Sequence, residues 1–423
     1  MRIWLPKNRE EVKQHVSDPL FKNAYFLMLS SVTSAGSGFF FWLIAARFYS
    51  AEAVGLASAL IAAMGLISTL SLLGFDISLV RFIPERAEKN ELINSCLTIS
   101  FFVALALTVI FIAGLGLWSP SLRIIKEHTA LLLLFIVFTV LAPLGALQSQ
   151  GVFVGFRTTK YSLYQTVVTF ARLGVVPFLV AYGAVGIYAA SGVTSVLAVG
   201  LGLFLTSRLV SGYKPRPRIN RDVIAAVFRF SAGNYIARLF EALPGVVLPL
   251  LVVNILGPEK NAYFFIAWAT VGLLLVIPGA TAKSLLTEGS YSRAELSRNT
   301  RRAVKFIALL LGAAIIGIVL LGRYVLWLFG EAYVQNSFEV LAILALGSVP
   351  VALNTIYTTI KRVQKELMPV ILVSGGTALL TLLGSYLLIQ RMGVIGVGIA
   401  WVLGNGIVAC GVGLVVMKGF RRG

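Results

Sequence analysis

The sequence predicts an all-α integral membrane protein with twelve transmembrane helices in two six-helix lobes, and three observations lead there. Of 423 residues, 58% are hydrophobic and only 13% are charged, about half the charged share of a soluble domain. Apolar stretches of about 20 residues, the length of a membrane-crossing helix, recur along the whole chain. Lysine and arginine crowd into alternate connections, as they do in polytopic proteins. Transmembrane strands are shorter and alternate in polarity, so the spans are helices.

The elements follow in order. Residues 1–24 are polar, with Lys7, Arg9, Glu10, Glu11 and Lys13. They form a cytoplasmic N-terminal segment in which 8–22 is expected to lie along the inner leaflet as a short helix. The next apolar stretch is longer than the roughly 7 to 15 residues of a signal-peptide core, so no cleaved signal is expected. Spans at 25–47, 52–75, 95–118, 129–152, 161–181 and 187–207 make the N-lobe, 25–207. The linker, 208–229, carries Lys214-Pro215-Arg216-Pro217-Arg218, and its prolines hold it extended. Spans at 230–256, 262–284, 303–322, 338–360, 369–389 and 394–417 make the C-lobe, 230–417, before a tail at 418–423.

Charge orients these spans. Of 36 Lys and Arg, 28 fall in the two termini and the even-numbered connections, and six, Arg47, Arg123, Lys126, Lys260, Arg323 and Arg391, fall on the opposite side. Positive residues stay with the cytoplasm, so both termini are expected there, in a multi-pass protein of the inner or plasma membrane. The net charge of +19 is this topological signal plus attraction to anionic membrane lipids, and no nucleic-acid partner is expected.

The halves resemble each other. Tyr49-Ser50-Ala51-Glu52-Ala53-Val54-Gly55 aligns with Leu256-Gly257-Pro258-Glu259-Lys260-Asn261-Ala262 at an offset of 207 residues. Each is an outer turn with a carboxylate at the start of the next helix, where the helix dipole favours it. Six spans per repeat is an even number, so the repeats run parallel, an arrangement that places substrate between lobes that rock.

Two arginines remain inside spans, Arg172 and Arg238, with Glu241 nearby. A charge at mid-span costs at least about 2.5 to 3.5 kcal/mol on insertion scales, so each must face protein or a wet cavity. Gln165, Thr169 and Arg172 share one helix face by i, i+4, i+7 spacing, as do Asn234, Arg238 and Glu241. Arg172 has no acid within a turn and is free for phosphate, to which a guanidinium offers bidentate charge-assisted bonds. Glu241 either pairs with Arg238 along the helix or tempers it during a transport cycle. Ser30, Ser34 and Ser37 read as a small-residue packing seam. Arg47, with Asp76 and Arg81 at the other end, is a candidate gate; interface anchoring and an Asp76–Arg81 loop salt bridge are the plainer reading. Pro143, Pro177, Pro244, Pro249, Pro278 and Pro350 lie in or beside spans and are expected to kink them, most of all in span 7.

Three stretches are similar to one family. Leu73-Gly74-Phe75-Asp76-Ile77-Ser78-Leu79-Val80-Arg81-Phe82-Ile83-Pro84-Glu85, Leu256-Gly257-Pro258-Glu259 and Leu328-Phe329-Gly330-Glu331-Ala332-Tyr333 resemble the polysaccharide transporter, or Wzx-type oligosaccharide flippase, family of the multidrug/oligosaccharidyl-lipid/polysaccharide (MOP) exporter superfamily. The resemblance extends over the whole chain through its span layout. It implies a V-shaped, MATE-like pair of lobes around a cavity that carries polyprenyl-phosphate-linked oligosaccharide between leaflets, with other glycan-assembly membrane proteins as candidate partners. On that reading Arg172 and Arg238 share the pyrophosphate, with Glu241, Asn234, Gln165 and Thr169 around them.

The alternatives are a cation-coupled multidrug antiporter of the same superfamily, a lipid II flippase, and a membrane polymerase or ligase. An antiporter calls for an intramembrane carboxylate in the first lobe, and span 1 has none. Lipid II flippases commonly carry charges within spans 1 and 2, where here they sit at the ends. An enzyme needs acid, base or metal groups beside a sizeable outer loop, whereas His15 and His128 lie outside the spans and the outer loops are short. Cys96 and Cys410 read as packing residues, so neither a disulfide, a metal nor a cofactor is expected. With no GxxxxGK[ST] motif, ATP is not the direct driver.

Overall fold

The computed structural model describes residues 19–86, 88–291 and 296–420. The interfacial helix expected over 8–22 lies mostly outside these, as do His15 and Arg293. Every regular element among the described residues is helical. The first half holds α1 (Pro19–Phe48), α2 (Ala51–Ser71), a short α3 (Phe75–Phe82), α4 (Lys89–Ala113) and α5 (Thr129–Ala146), then α6 (Lys160–Val168), α7 (Ala171–Val175) and α8 (Gly183–Leu209). The second half holds α9 (Arg221–Leu256), α10 (Pro258–Tyr291), α11 (Leu296–Phe329), α12 (Glu331–Val363) and α13 (Leu367–Phe420).

Ten stretches of the described residues are long and apolar enough to cross a membrane, two of them of 50 and 51 residues. A straight helix that long would reach about 75 Å, more than twice a bilayer core. Both double back instead. In α13 the turn is at Gly393, whose φ of +58° and ψ of −141° suit only glycine. Beyond it Gly384 packs against Ala400 and Gly376 against Val408, so the two arms are antiparallel. Gly183, at φ +52°, does the same between 160–182 and 183–209, where Gln165 reaches the Ala198 carbonyl at 2.8 Å.

Two boundaries differ from the sequence reading. α9 starts at Arg221, inside the expected linker, so the connection between halves is only 210–220. The expected inner loop after span 2 contains α3, with Asp76 in its first turn. Hydropathy detects where a helix is apolar, not where it ends, and these helices run on through polar turns. The connection is tied to α4, with Arg218 paired to Glu91 at 2.8 Å and the Asn94 amide donating to the Lys214 carbonyl at 3.0 Å. Tyr213 is buried within it, which pushes its hydroxyl pKa up to about 12.

The two halves meet along α1 and α2 against α9, α10 and α11. Toward the predicted outer side, one apolar cluster includes Phe41, Trp42, Val54 and Ala57 from the first half with Leu248, Val252, Phe264 and Phe329 from the second. At the turns expected on the outer side, a Cβ on Gly55 would lie 1.7 Å from the Pro258 carbonyl oxygen and 2.9 Å from the Ala262 nitrogen, so only glycine fits. Asn261 donates across this contact to the Gly55 carbonyl at 2.7 Å and Ser58 Oγ at 2.9 Å.

The offset of 207 residues relates these contacts in pairs. It carries Gly55 onto Ala262, which touch, as counterparts do beside an axis relating two parallel repeats. It also carries Arg47 onto Asn254 and Ser121 onto Leu328. Arg47 donates to the carbonyls of Trp327 and Leu328, while Asn254 Oδ1 accepts from the Ser121 N–H at 3.1 Å. Toward the other end it carries Ser31 onto Arg238 and Asp76 onto Lys283. Arg238 pairs with Asp76, and Lys283 donates to Ser31 Oγ at 3.2 Å. Each half thus clasps the other at matching positions.

Candidate functional site

Arg238 is the centre of the junction between halves. It projects from α9 to Asp76 at the start of α3, and its other amine donates to Gln150 Oε1 at 3.0 Å. Asp76 is 3% exposed, and a carboxylate so enclosed needs a cation. Beside this pair lies a cavity of about 290 Å3 walled by Gly65, Ser68 and Thr69 of α2, Asp76, Gln150, and Tyr235 with Arg238 of α9. The cavity is bounded by both halves and carries polar groups from each.

The partners differ from those the sequence suggested. Arg238 and Glu241 do not pair along their helix; Glu241 accepts from Arg362 of α12 at 2.6 Å and from Ser374 of α13 at 3.3 Å. Asp76 and Arg81 do not pair either, and Arg81 sits 3.3 Å from Glu85 on an exposed face. Five residues along a helix is about 140° from alignment, so Asp76 and Arg81 point apart. Arg238 is within electrostatic reach of Glu241 and Arg362, and Lys283 within reach of Arg238. Three cations and two carboxylates drawn from α3, α9, α10 and α12 therefore gather at this end of the junction.

Arg172 stands apart from them. Span 5 is broken between α6 and α7, and across Thr169 and Phe170 the backbone closes three-residue turns, such as Arg172 N–H to Thr169 carbonyl at 3.3 Å. Just past the break, Arg172 donates to Ser37 Oγ of α1 at 3.1 Å and lies over the Phe41 ring at 4.7 Å. Its Nε is buried without a hydrogen bond, and no carboxylate partners it among the described residues. A guanidinium held by a hydroxyl and a ring face keeps most of its donors for another anion.

Other expected site residues take different places. Gln165 is 4% exposed and its amide nitrogen bonds Gln148 and the Ala198 carbonyl. It ties α6 to α8 within the first half and does not line the cavity. Thr169 donates to the Thr166 carbonyl at 2.6 Å, within the break. Asn234 is half-buried, one turn before Arg238 on α9. Arg47 clasps the carbonyl end of α11 and stacks on Trp327 at 5.4 Å, where a cation also complements the helix dipole. The serine stripe of α1 does face its neighbours, through Ser30 with Thr166 at 2.8 Å and Ser37 with Arg172.

Gln150, Lys283 and Arg362 were missed by the sequence reading. Gln150 lies in a π-turn, Leu147–Val152, that follows Pro143 by one turn; such turns often mark functional positions, and Pro143 was its signal. Arg362 looked like an ordinary loop charge because α12 continues past the predicted span end, and Lys283, in the last turn of the span at 262–284, read as part of the basic connection that follows. Of the six prolines, Pro143 and Pro177 lie beside irregular backbone, whereas α9 runs unbroken through Pro244 and Pro249.

Comparison with known proteins agrees with this architecture. The sequence model of the family described as polysaccharide biosynthesis protein matches residues 20–250, over half of the chain. No curated protein matches. Among solved structures the chain is similar to the lipid II flippase MurJ in an inward closed conformation, at 15% identity and TM-score 0.78, covering 92% of this chain and 87% of that one. It is also similar to an inward-facing multidrug resistance MATE family transporter of the MOP superfamily, at 16% identity and TM-score 0.70 over 92% and 95%. An outward-facing MATE transporter superposes at 17% identity and TM-score 0.62 over 96% of each chain. At these identities the likeness is one of fold, which is all-helical and MATE-like. With the family match over more than half its length, the chain belongs to the polysaccharide biosynthesis protein family, in a fold similar to that of MATE and MurJ structures.

Proposed function

We propose that this protein moves a lipid-(pyro)phosphate-linked oligosaccharide from the cytoplasmic to the outer leaflet by alternating access. In this reading its two hairpins bring the crossings to twelve, in two lobes with both termini cytoplasmic. The observation that carries the proposal is the set of cations at the junction, with Arg238 from one half held by Asp76 from the other beside a cavity of about 290 Å3. An incoming phosphate competes with Asp76 for Arg238, loosening the tie between halves as it binds. Arg172, which has no acidic partner among the described residues, binds phosphate oxygens that Arg238 does not reach. The tight outer seam at Gly55 and Pro258, and the better superposition on inward structures than on the outward one, support a conformation closed toward the outside. Arg47 and Asn254 are then the outer latches.

The test is export of glycan by cells that lack their own transporter and carry either wild type or Arg172→Ala at equal membrane levels. Export is expected to fall about tenfold or more, the scale of one lost charge-assisted contact. Wild-type export by Arg172→Ala and by a paired Asp76→Asn/Arg238→Gln variant would end this reading. Drug resistance conferred without glycan export would favour the antiporter.

A further inference from the structure

At the inner end of the second half, α10 and α11 part around a cavity of about 410 Å3 lined by Thr281, Leu285, Asn299, Arg302 and Phe306 among others, within the size range of small-ligand sites. The 207-residue offset identifies its counterpart in the first half, carrying Ser78 onto Leu285 and Ser95 onto Arg302. That groove is filled by the connection between halves and the start of α9. Asn220 N–H donates to Ser95 Oγ at 3.0 Å, Arg218 N–H to Thr98 Oγ1 at 3.3 Å, and Ser78 Oγ to the Val227 carbonyl at 3.2 Å. In the second half no described segment takes that place.

The cavity is chemically prepared for an occupant. Asn299 is 7% exposed, and its Oδ1 accepts no hydrogen bond, a cost that an occupant's donor would remove. Arg302 has no carboxylate partner among the described residues. From the cavity mouth an apolar face of α11 runs toward the other end of the helix, with Phe306 53%, Leu309 72%, Ile316 60% and Leu320 69% exposed. An anion site, an orphaned acceptor and a greasy track in that order match one kind of molecule.

We propose that this cavity binds the headgroup of an anionic phospholipid that also offers a hydroxyl. The phosphodiester sits on Arg302, the headgroup hydroxyl donates to Asn299 Oδ1, and the acyl chains lie along Phe306, Leu309 and Ile316. The chain's own tail is a poor occupant, since Lys418, Arg421 and Arg422 would meet Arg298, Arg301, Arg302 and Lys305. The site is separate from the junction of the halves, so it stands whatever substrate the transporter carries.

Native mass spectrometry of the full-length protein, delipidated and titrated with phosphatidylglycerol or phosphatidylcholine, tests it. Phosphatidylglycerol is expected to be retained about tenfold better, and Arg302→Ala or Asn299→Leu to remove most of that preference. Asn299→Asp, close to isosteric, is expected to do the same by repelling phosphate. Arg301→Ala should change little. An equal loss with Arg301→Ala would reduce the effect to diffuse charge and overturn the site. Full displacement of the lipid by millimolar inorganic phosphate would make it a free-anion site. Higher lipid retention after deletion of 418–423 would make the tail its occupant.

Discussion

Arg172 and Arg238 show how differently two intramembrane arginines can be held. Arg238, itself 41% exposed, neutralises a carboxylate that is 3% exposed, and leaving that enclosed acceptor without its partner costs about 1 to 3 kcal/mol. Arg238→Ala should therefore lower the thermal transition and reduce protein in the membrane, whereas Asp76→Asn/Arg238→Gln should recover most of that stability. Arg172 has no carboxylate partner among the described residues and leaves Nε unbonded. Arg172→Ala is thus expected to keep or raise the transition while export falls, a combination measurable by melting the purified variants beside the export assay. The depth of both arginines was legible in the sequence because charges are rare among apolar residues. Their partners were not: Asp76 and Gln150 come from elements over 80 residues away, as the separation of 88 for Gln150 illustrates. Glu241 misled for the same reason, since the nearest opposite charge in sequence was Arg238 while the nearest in space was Arg362.

The elements divide by whether local sequence or contact shapes them. α11 is legible as an amphipathic helix: Asn299, Ala303, Ile307, Leu311, Ile315, Ile318, Gly322, Leu326 and Phe329 are buried at three- and four-residue spacing. The hairpin at Gly393 was legible only as a gap between apolar windows. Its backbone suits glycine alone, so Gly393→Ala is expected to cost about 1 to 3 kcal/mol, read as a lowered thermal transition; an unchanged transition would show that the turn relaxes. The break before Arg172 carries no proline at its centre. Thr169 and Phe170 adopt tight turns there while α6 and α7 pack against α1, so packing rather than propensity sets it.

At the scale of the molecule, the seam between halves at Gly55 and Pro258 is, on the proposed reading, the outer closure, and it can be tested. Ser58 and Asn261 are hydrogen-bonded across the halves at 2.9 Å. A Ser58→Cys/Asn261→Cys pair, with Cys410→Ser to remove the exposed thiol, should cross-link under oxidation, stop export, and regain it on reduction. Arg47→Ala/Asn254→Ala removes both outer clasps and should open this seam, raising the labelling of a single cysteine at Ser58 by a membrane-impermeant reagent. The sequence by itself determined the membrane class and most of the helical windows, and raised the expectations of sidedness and of a parallel repeat at an offset of 207 residues, because hydropathy and positive-charge bias act on each segment independently. Only tertiary structure decided that the repeated turns touch at Gly55 and Ala262, that Arg238 answers Asp76, and that a cavity remains between α10 and α11. Those outcomes depend on which helix surfaces meet, and in a bilayer that choice is made by close packing and cross-helix bonds, to which the apolar pattern contributes almost nothing.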